Sequence, residues 1–87
     1  MTVTSLTLFT SARSAASIRA IVNVNAIIET IQPRPKLRIV DVGASPQEAI
    51  DEKVFVTPTL KTSGARVLTI VGTLDDRSFV RSVLEGQ

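Results

Sequence analysis

The chain has no cysteine, no histidine, no tryptophan and no tyrosine among its 87 residues. Each absence removes a class of chemistry. Without cysteine there is no disulfide, thiolate metal site or thiol redox couple, and a reducing, cytoplasmic setting is the expectation. Without histidine, the usual general base and the commonest transition-metal ligand are gone. Three phenylalanines are the only aromatic residues, too few for the stacking platforms of single-strand nucleic-acid binders. No apolar run approaches the ~20 residues of a membrane span. The opening residues 1–10 have neither the basic lead nor the cleavage site of a secretion signal. No glycine-rich phosphate loop, metal motif or nucleophile elbow is present. The expectation is a protein without metal or cofactor that binds neither nucleic acid nor membrane.

What is there points to a folded binding domain. Hydrophobic residues make up 44% of the chain and charged residues 21%, a balance that supports a core and argues against disorder. The length allows one domain, residues 1–87. A core this small leaves a thin stability margin, so self-association as a dimer or tetramer is expected to supplement it. The formal net charge of +2 is spread along the chain and reads as a solvated, slightly basic surface.

Local patterns divide the chain into seven elements. Residues 3–9 (VTSLTLF) read as a strand. Ser14 or Ser11 caps a long helix running to about Ile31. Its polar stripe is narrow, with Arg19, Asn23, Ala26 and Thr30 on one side. Ile18, Ile21, Val22, Val24, Ile27, Ile28 and Ile31 cover the rest, so one flank is available to a partner. Gln32-Pro33-Arg34-Pro35 ends the helix, and residues 37–42 (LRIVDV) form a second strand. Ser45, Pro46 and Glu48 have the spacing of a capped short helix. Thr59-Leu60-Lys61 and residues 66–71 form a hairpin around Thr62-Ser63-Gly64-Ala65. Asp75 caps a last helix with Asp76 in its first turn, and Phe79, Val80, Val83 and Leu84 form its apolar stripe.

The order β-α-β-α-β-β-α implies a parallel pair with a right-handed crossover, followed by a hairpin and a closing helix. This is an α/β, thioredoxin-like arrangement with a four-stranded mixed sheet. It also explains a conflict in residues 54–60 (VFVTPTL), where proline interrupts a strand-like composition. In that fold a cis-proline opens the third strand, where no ladder donor is lost, and Thr57-Pro58 falls at that place.

The fold directs attention to the loop after the first strand, Thr10-Ser11-Ala12-Arg13-Ser14, where redox relatives carry a dithiol. No sulfur is present there. Ser11 or Ser14 as an activated hydroxyl, in the manner of a cysteine-free glutathione-transferase-like enzyme, is a remote alternative to helix capping. Glu48, Asp51 and Glu52 read as a solvated helix face, since no loop of oxygen ligands surrounds them. Asp41, inside an apolar strand, is expected to meet the N–H groups of the following loop. Arg19 projects from the one polar stripe of its helix.

The chain resembles the KaiB family of circadian clock proteins. The resemblance is carried by residues 8–29, with Ser17-Ile18-Arg19-Ala20-Ile21 and Asn25-Ala26-Ile27-Ile28-Glu29. It continues through Ile39-Val40-Asp41-Val42 and Pro46-Gln47, and is strongest at Lys53-Val54-Phe55-Val56-Thr57-Pro58-Thr59-Leu60, close to the family's Lys-Ile-Leu-Ala-Thr-Pro-Thr-Leu. Ile70-Val71-Gly72 and Leu74 complete it. The resemblance implies a non-enzymatic regulator that docks on the ring of a KaiC-type ATPase and kinase. It places Arg19 and Lys53 near the binding surface, and Asn23 shares the stripe with Arg19. The alternative is a module like the sensor domain of the kinase SasA, serving a signalling kinase. The family's departures concentrate in the C-terminal half. Thr62-Ser63-Gly64-Ala65 replaces a proline-rich turn, Leu68-Thr69 stands where an arginine pair aligns, and Thr73 replaces an aspartate. Because that half refolds in the family, the departures predict a chain that rests thioredoxin-like.

Overall fold

Strand β1 (Ser5–Thr10) has a partner on each side, and its alternation decides which helix lies on which face of the sheet. The structure is a computed structural model that describes residues 4–12, 14–63 and 67–86. Strand β2 (Lys36–Asp41) runs parallel to β1, with Leu8 opposite Ile39 and Phe9 opposite Val40. Strand β3 (Thr59–Thr62) runs antiparallel on the other side, Leu8 meeting Leu60, and β4 (Thr69–Val71) pairs antiparallel with β3 at the edge. The result is a four-stranded mixed sheet in the order β2-β1-β3-β4.

Successive side chains of a strand point to opposite faces. Leu6, Leu8 and Leu60 pack on one face against Ala20, Val24, Ile27 and Ile28 of α1 (Ala15–Ile28) and against Val80 and Leu84 of α3 (Arg77–Glu85). Fully withdrawing a leucine from water is worth roughly 1.5–3 kcal/mol, so Leu6, Leu8, Leu60 and Leu84 anchor this larger core. Phe9 and Val40 point the other way. They meet Ala49 of the short helix α2 (Pro46–Asp51), with Val42 and Val54 at the margin. The two helical layers therefore sit on opposite sides of the sheet.

The prolines act where expected. Pro58 stands one residue ahead of β3, its missing N–H costs the ladder nothing, and its carbonyl accepts from the Gly72 N–H at 2.9 Å. The Thr57–Pro58 and Gln32–Pro33 peptide bonds are both cis. Residues 54–58 are not a strand, and Phe55 is 85% exposed.

Several boundaries and caps differ from the sequence reading, each for a physical reason. Helix α1 ends at Ile28. The Thr30 hydroxyl then takes the Ile27 carbonyl at 2.7 Å, a local competitor of helix continuation, and Ile31 is buried beneath the turn. Asp76, not Asp75, caps α3, accepting from the Phe79 N–H at 3.1 Å. Ser45 precedes α2 without capping it through its side chain, its backbone at φ −131° and ψ 63° lying outside the extended conformation of an N-cap. Its N–H, which a capping-box Glu48 would accept from, goes to the Asp41 carbonyl at 2.9 Å, and Glu48 pairs with Arg38 on β2. Phe79 is 60% exposed and lies outside the core stripe of α3. Asp41 behaves as expected, its Oδ1 accepting from the Gly43 N–H at 2.8 Å. The expected start of β1 at Val3, and the Gly64–Arg66 part of the hairpin, fall outside the described residues.

Candidate partner-binding surface

The polar stripe of α1 is the side that packs on α3 and on the loop between β4 and α3. Asn23 is 6% exposed and joins the two. Its Nδ2 donates to the Thr73 carbonyl at 2.7 Å and to Asp75 Oδ1 at 3.0 Å, and its Oδ1 accepts from Arg77 Nε at 2.9 Å. Every polar atom of the amide is thus used inside the chain. Arg19, one turn earlier, donates Nε to the same Asp75 oxygen at 2.6 Å, with both side chains half exposed or more. The Thr73 hydroxyl donates to the other Asp75 oxygen at 2.7 Å. That hydroxyl, reinforced by Asn23 and Arg19, holds the Asp75 carboxyl below its usual value although partial burial works the other way.

The loop these bonds clamp has an unusual backbone. Leu74 has φ of 63° while its side chain is buried in the larger core. A bulky residue in the left-handed region costs free energy. The leucine's burial on one side and the Asn23 clamp on the other hold the turn.

Lys53 lies on the other face of the sheet, in the connection from α2 to β3, and is not part of this network. It is exposed, and its φ of 59° is the left-handed conformation that closes a helix C-terminus. Beside it, Lys61 of β3 donates Nζ to the Glu52 carbonyl at 2.5 Å and lies 3.5 Å from the Glu52 carboxylate. The structure therefore brings Arg19 and Asn23 together and leaves Lys53 apart.

The carboxyl end of β1 holds the hydroxyl candidates. Ser14 is the N-cap of α1, its Oγ accepting from the Ser17 N–H at 3.0 Å. Ser11 Oγ lies 2.6 Å from Thr57 Oγ1, and its N–H donates to the buried Ser17 Oγ. A hydroxyl nucleophile needs an adjacent base. Among the described residues, the only partner of the Ser11 hydroxyl is another hydroxyl. Ser11 and Thr57 line a shallow pocket of about 170 Å³ with Val42, Val54, Phe55 and Val56.

The far flank of α1 is apolar and open, with Ile18 and Val22 54% and 58% exposed. On β2, Arg38 forks onto Glu48 of α2, one of its two bonds measuring 2.6 Å. The Arg38 hydrogen bond holds the Glu48 carboxyl below its usual value and raises Arg38 in turn.

Strand order, helix placement and the proline ahead of β3 define a thioredoxin-like domain. Solved structures of that shape include the N-terminal domain of SasA from Synechococcus elongatus, with TM-score 0.76 and 21% identity over 95% of this chain and 81% of that one. Mitochondrial thioredoxin 3 from Saccharomyces cerevisiae also has TM-score 0.76, at 15% identity over 97% of this chain and 78% of that one. At such identities the likeness is one of fold. Sequence goes further. The KaiB domain family matches residues 7–85. The chain is 38% identical over 77 residues to the circadian clock oscillator protein KaiB of Acaryochloris marina, covering 86% of this chain and 74% of the relative. It is 36% identical to the protein of the same name from Cyanothece sp., over 86% of this chain and 73% of the relative. The chain belongs to the KaiB family.

The sequence reading missed Thr73, Asp75 and Arg77 as partners of the Arg19–Asn23 stripe. The only local signal was the Asp75-Asp76 pair ahead of the helix. One aspartate suffices for a cap, which leaves the other free for a long-range partner.

Proposed function

We propose that the chain is a non-enzymatic regulatory protein of the circadian clock type that docks on the ring of a KaiC-type ATPase. The KaiB-domain match over residues 7–85 carries this reading. Arg19 and Lys53 are its proposed contacts, as two separate patches on opposite faces of the sheet. The Arg19–Asp75 pair is exposed, and exposed pairs are weak enough for a partner's carboxylate to replace one member. Lys53 projects from the end of α2 with no ion-pair partner among the described residues. Asn23 serves the Arg19 patch by position: it sets the loop that carries Asp75 and, buried, makes no direct contact.

The open flank of Ile18 and Val22 supports self-association as a dimer or tetramer, for which light scattering is the check; a monomer at micromolar concentration contradicts it. The docking reading is tested by size-exclusion chromatography of the chain mixed with a purified KaiC-type ring, in ATP and in ADP. Co-elution in one nucleotide state is expected. Separate elution in both states contradicts the reading and directs the search to a signalling kinase.

A further inference from the structure

The seam between α1 and α3 contains a groove of about 200 Å³ lined by Ala26, Ile27, Thr30, Arg77, Ser78 and Arg81. None of these residues belongs to the docking surface proposed above. Arg77 and Arg81 stand four residues apart on α3, so their guanidinium groups rise on one side of the helix. Arg77 is held by its Nε on the buried Asn23 Oδ1 at 2.9 Å. Its two Nη groups have no carboxylate partner among the described residues. Arg81 has one, Glu85, at 3.3 Å through Nε, in an exposed pair that is readily exchanged.

The other acids near the start of α3 are committed elsewhere. Asp75 takes Arg19, Thr73 and Asn23, while Asp76 caps the helix. The Ser78 hydroxyl makes no hydrogen bond within the described residues. The Thr30 hydroxyl donates to Ile27, so the floor formed by Ala26, Ile27 and Thr30 offers an incoming group aliphatic surface and no donor. The groove thus combines two guanidinium forks and one hydroxyl with an apolar wall. A bare inorganic anion uses only the first part. A carboxylate on a methylene stem uses both.

We infer that this groove docks a glutamate-bearing segment of a protein partner, with the carboxylate held by Arg77 and Arg81 and the stem lying on Ala26 and Ile27. The inference is independent of the ring-docking reading. It is tested by nuclear magnetic resonance titration of the full chain, following backbone amides and arginine Nε–H signals. The probe is a short, terminally blocked alanine peptide carrying two glutamates. Inorganic phosphate and the same peptide with glutamine are parallel arms.

Saturable shifts at Thr30, Ser78 and Arg81 are expected from the glutamate peptide, with a Kd on the order of millimolar for so small a contact. Arg81→Gln, which leaves Asn23 untouched, is expected to weaken binding about fivefold, and Arg77→Gln by at least as much. Arg34→Gln, at an exposed position outside the groove lining, changes it less than about twofold. The inference is overturned by an absence of shifts, by equal binding of the glutamine peptide, by an equal loss in Arg34→Gln, or by phosphate saturating the groove while the peptide does not.

Discussion

Asn23 carries the most exacting test of the structure, because its buried amide serves three partners from two other segments of the fold. Replacing it with alanine removes the donors to Thr73 and Asp75 and the acceptor for Arg77. The exposed Asp75 and Arg77 can turn to water, so most of their bonds are recovered. The Thr73 carbonyl loses its side-chain donor, and a small void opens beside α1. A lost bond to a partly buried acceptor and a truncated side chain together cost about 2 kcal/mol. For a domain of this size that lowers Tm by about 8–16 °C.

The isosteric Asn23→Asp separates hydrogen bonding from packing. One carboxylate oxygen still accepts from Arg77, but the other faces the Thr73 carbonyl and the Asp75 carboxylate. Aspartate is therefore expected to destabilise more than alanine at neutral pH. Its folded-state pKa is raised by these neighbours, so its penalty relative to the parent shrinks as pH falls and the carboxyl takes up a proton. Thermal melts followed by circular dichroism across pH read both effects. An Asn23→Ala variant within about 0.5 kcal/mol of the parent refutes the clamp. So does an Asn23→Asp variant that outperforms alanine at neutral pH.

Four further outcomes follow from the same structure. Lys53→Gly relieves a left-handed backbone at an exposed position and is expected to leave stability unchanged or raise it by up to about 1 kcal/mol; a loss of that size in a chemical denaturation curve contradicts the placement. The carboxyls of Glu48 and Asp75 are held low in the folded state, so the stability they contribute is complete above about pH 5 and is lost as pH falls through about 4 and below. With no histidine in the chain, Tm is expected to stay flat between about pH 6 and 7.5, and a steep change in that interval contradicts the account. Leu60→Ala, in the middle of the larger core, is expected to cost about 2–5 kcal/mol and to leave a small domain largely unfolded by far-UV circular dichroism, whereas a cooperative melt close to the parent's refutes its place in the core.

The features legible in the sequence are those set by near neighbours. Ser14 lies three residues before Ser17 and caps its N–H. Pro58 stands ahead of a strand because it has no donor for the ladder, and Leu6 and Leu8 alternate with Thr7 and Phe9 to separate two cores. The seven-element order and the mixed sheet follow from such signals. Features set by distant residues were not legible. Glu48 has capping-box spacing from Ser45, yet its carboxylate pairs with Arg38, ten residues earlier, and the Ser45 N–H goes to the Asp41 carbonyl. Asp75 and Asp76 are equally good caps by type, and Arg19, fifty-six residues away, decides between them.

Polarity alone marks a stripe on α1 and does not say what covers it. Asn23 is buried because Thr73, Asp75 and Arg77 satisfy it, and Ile18 and Val22 are left outside. Arg19 and Lys53 were read as one surface, but sequence alone does not say that their elements lie on opposite faces of the sheet. Phe55 was read with the strand it precedes. It lies in the connection ahead of Pro58, where no pairing draws it inward.

The most direct test of the docking account is an anisotropy titration of the labelled chain against a purified KaiC-type ATPase ring from the same source, in ATP and in ADP. The parent, Arg19→Ala and Lys53→Gly are compared, the last because its fold is expected to be intact. The account predicts saturable binding that depends on the nucleotide and weakens about tenfold in each variant, with k_off carrying most of the change. Binding that ignores both substitutions contradicts the proposed surface, and no binding in either nucleotide contradicts the proposed function.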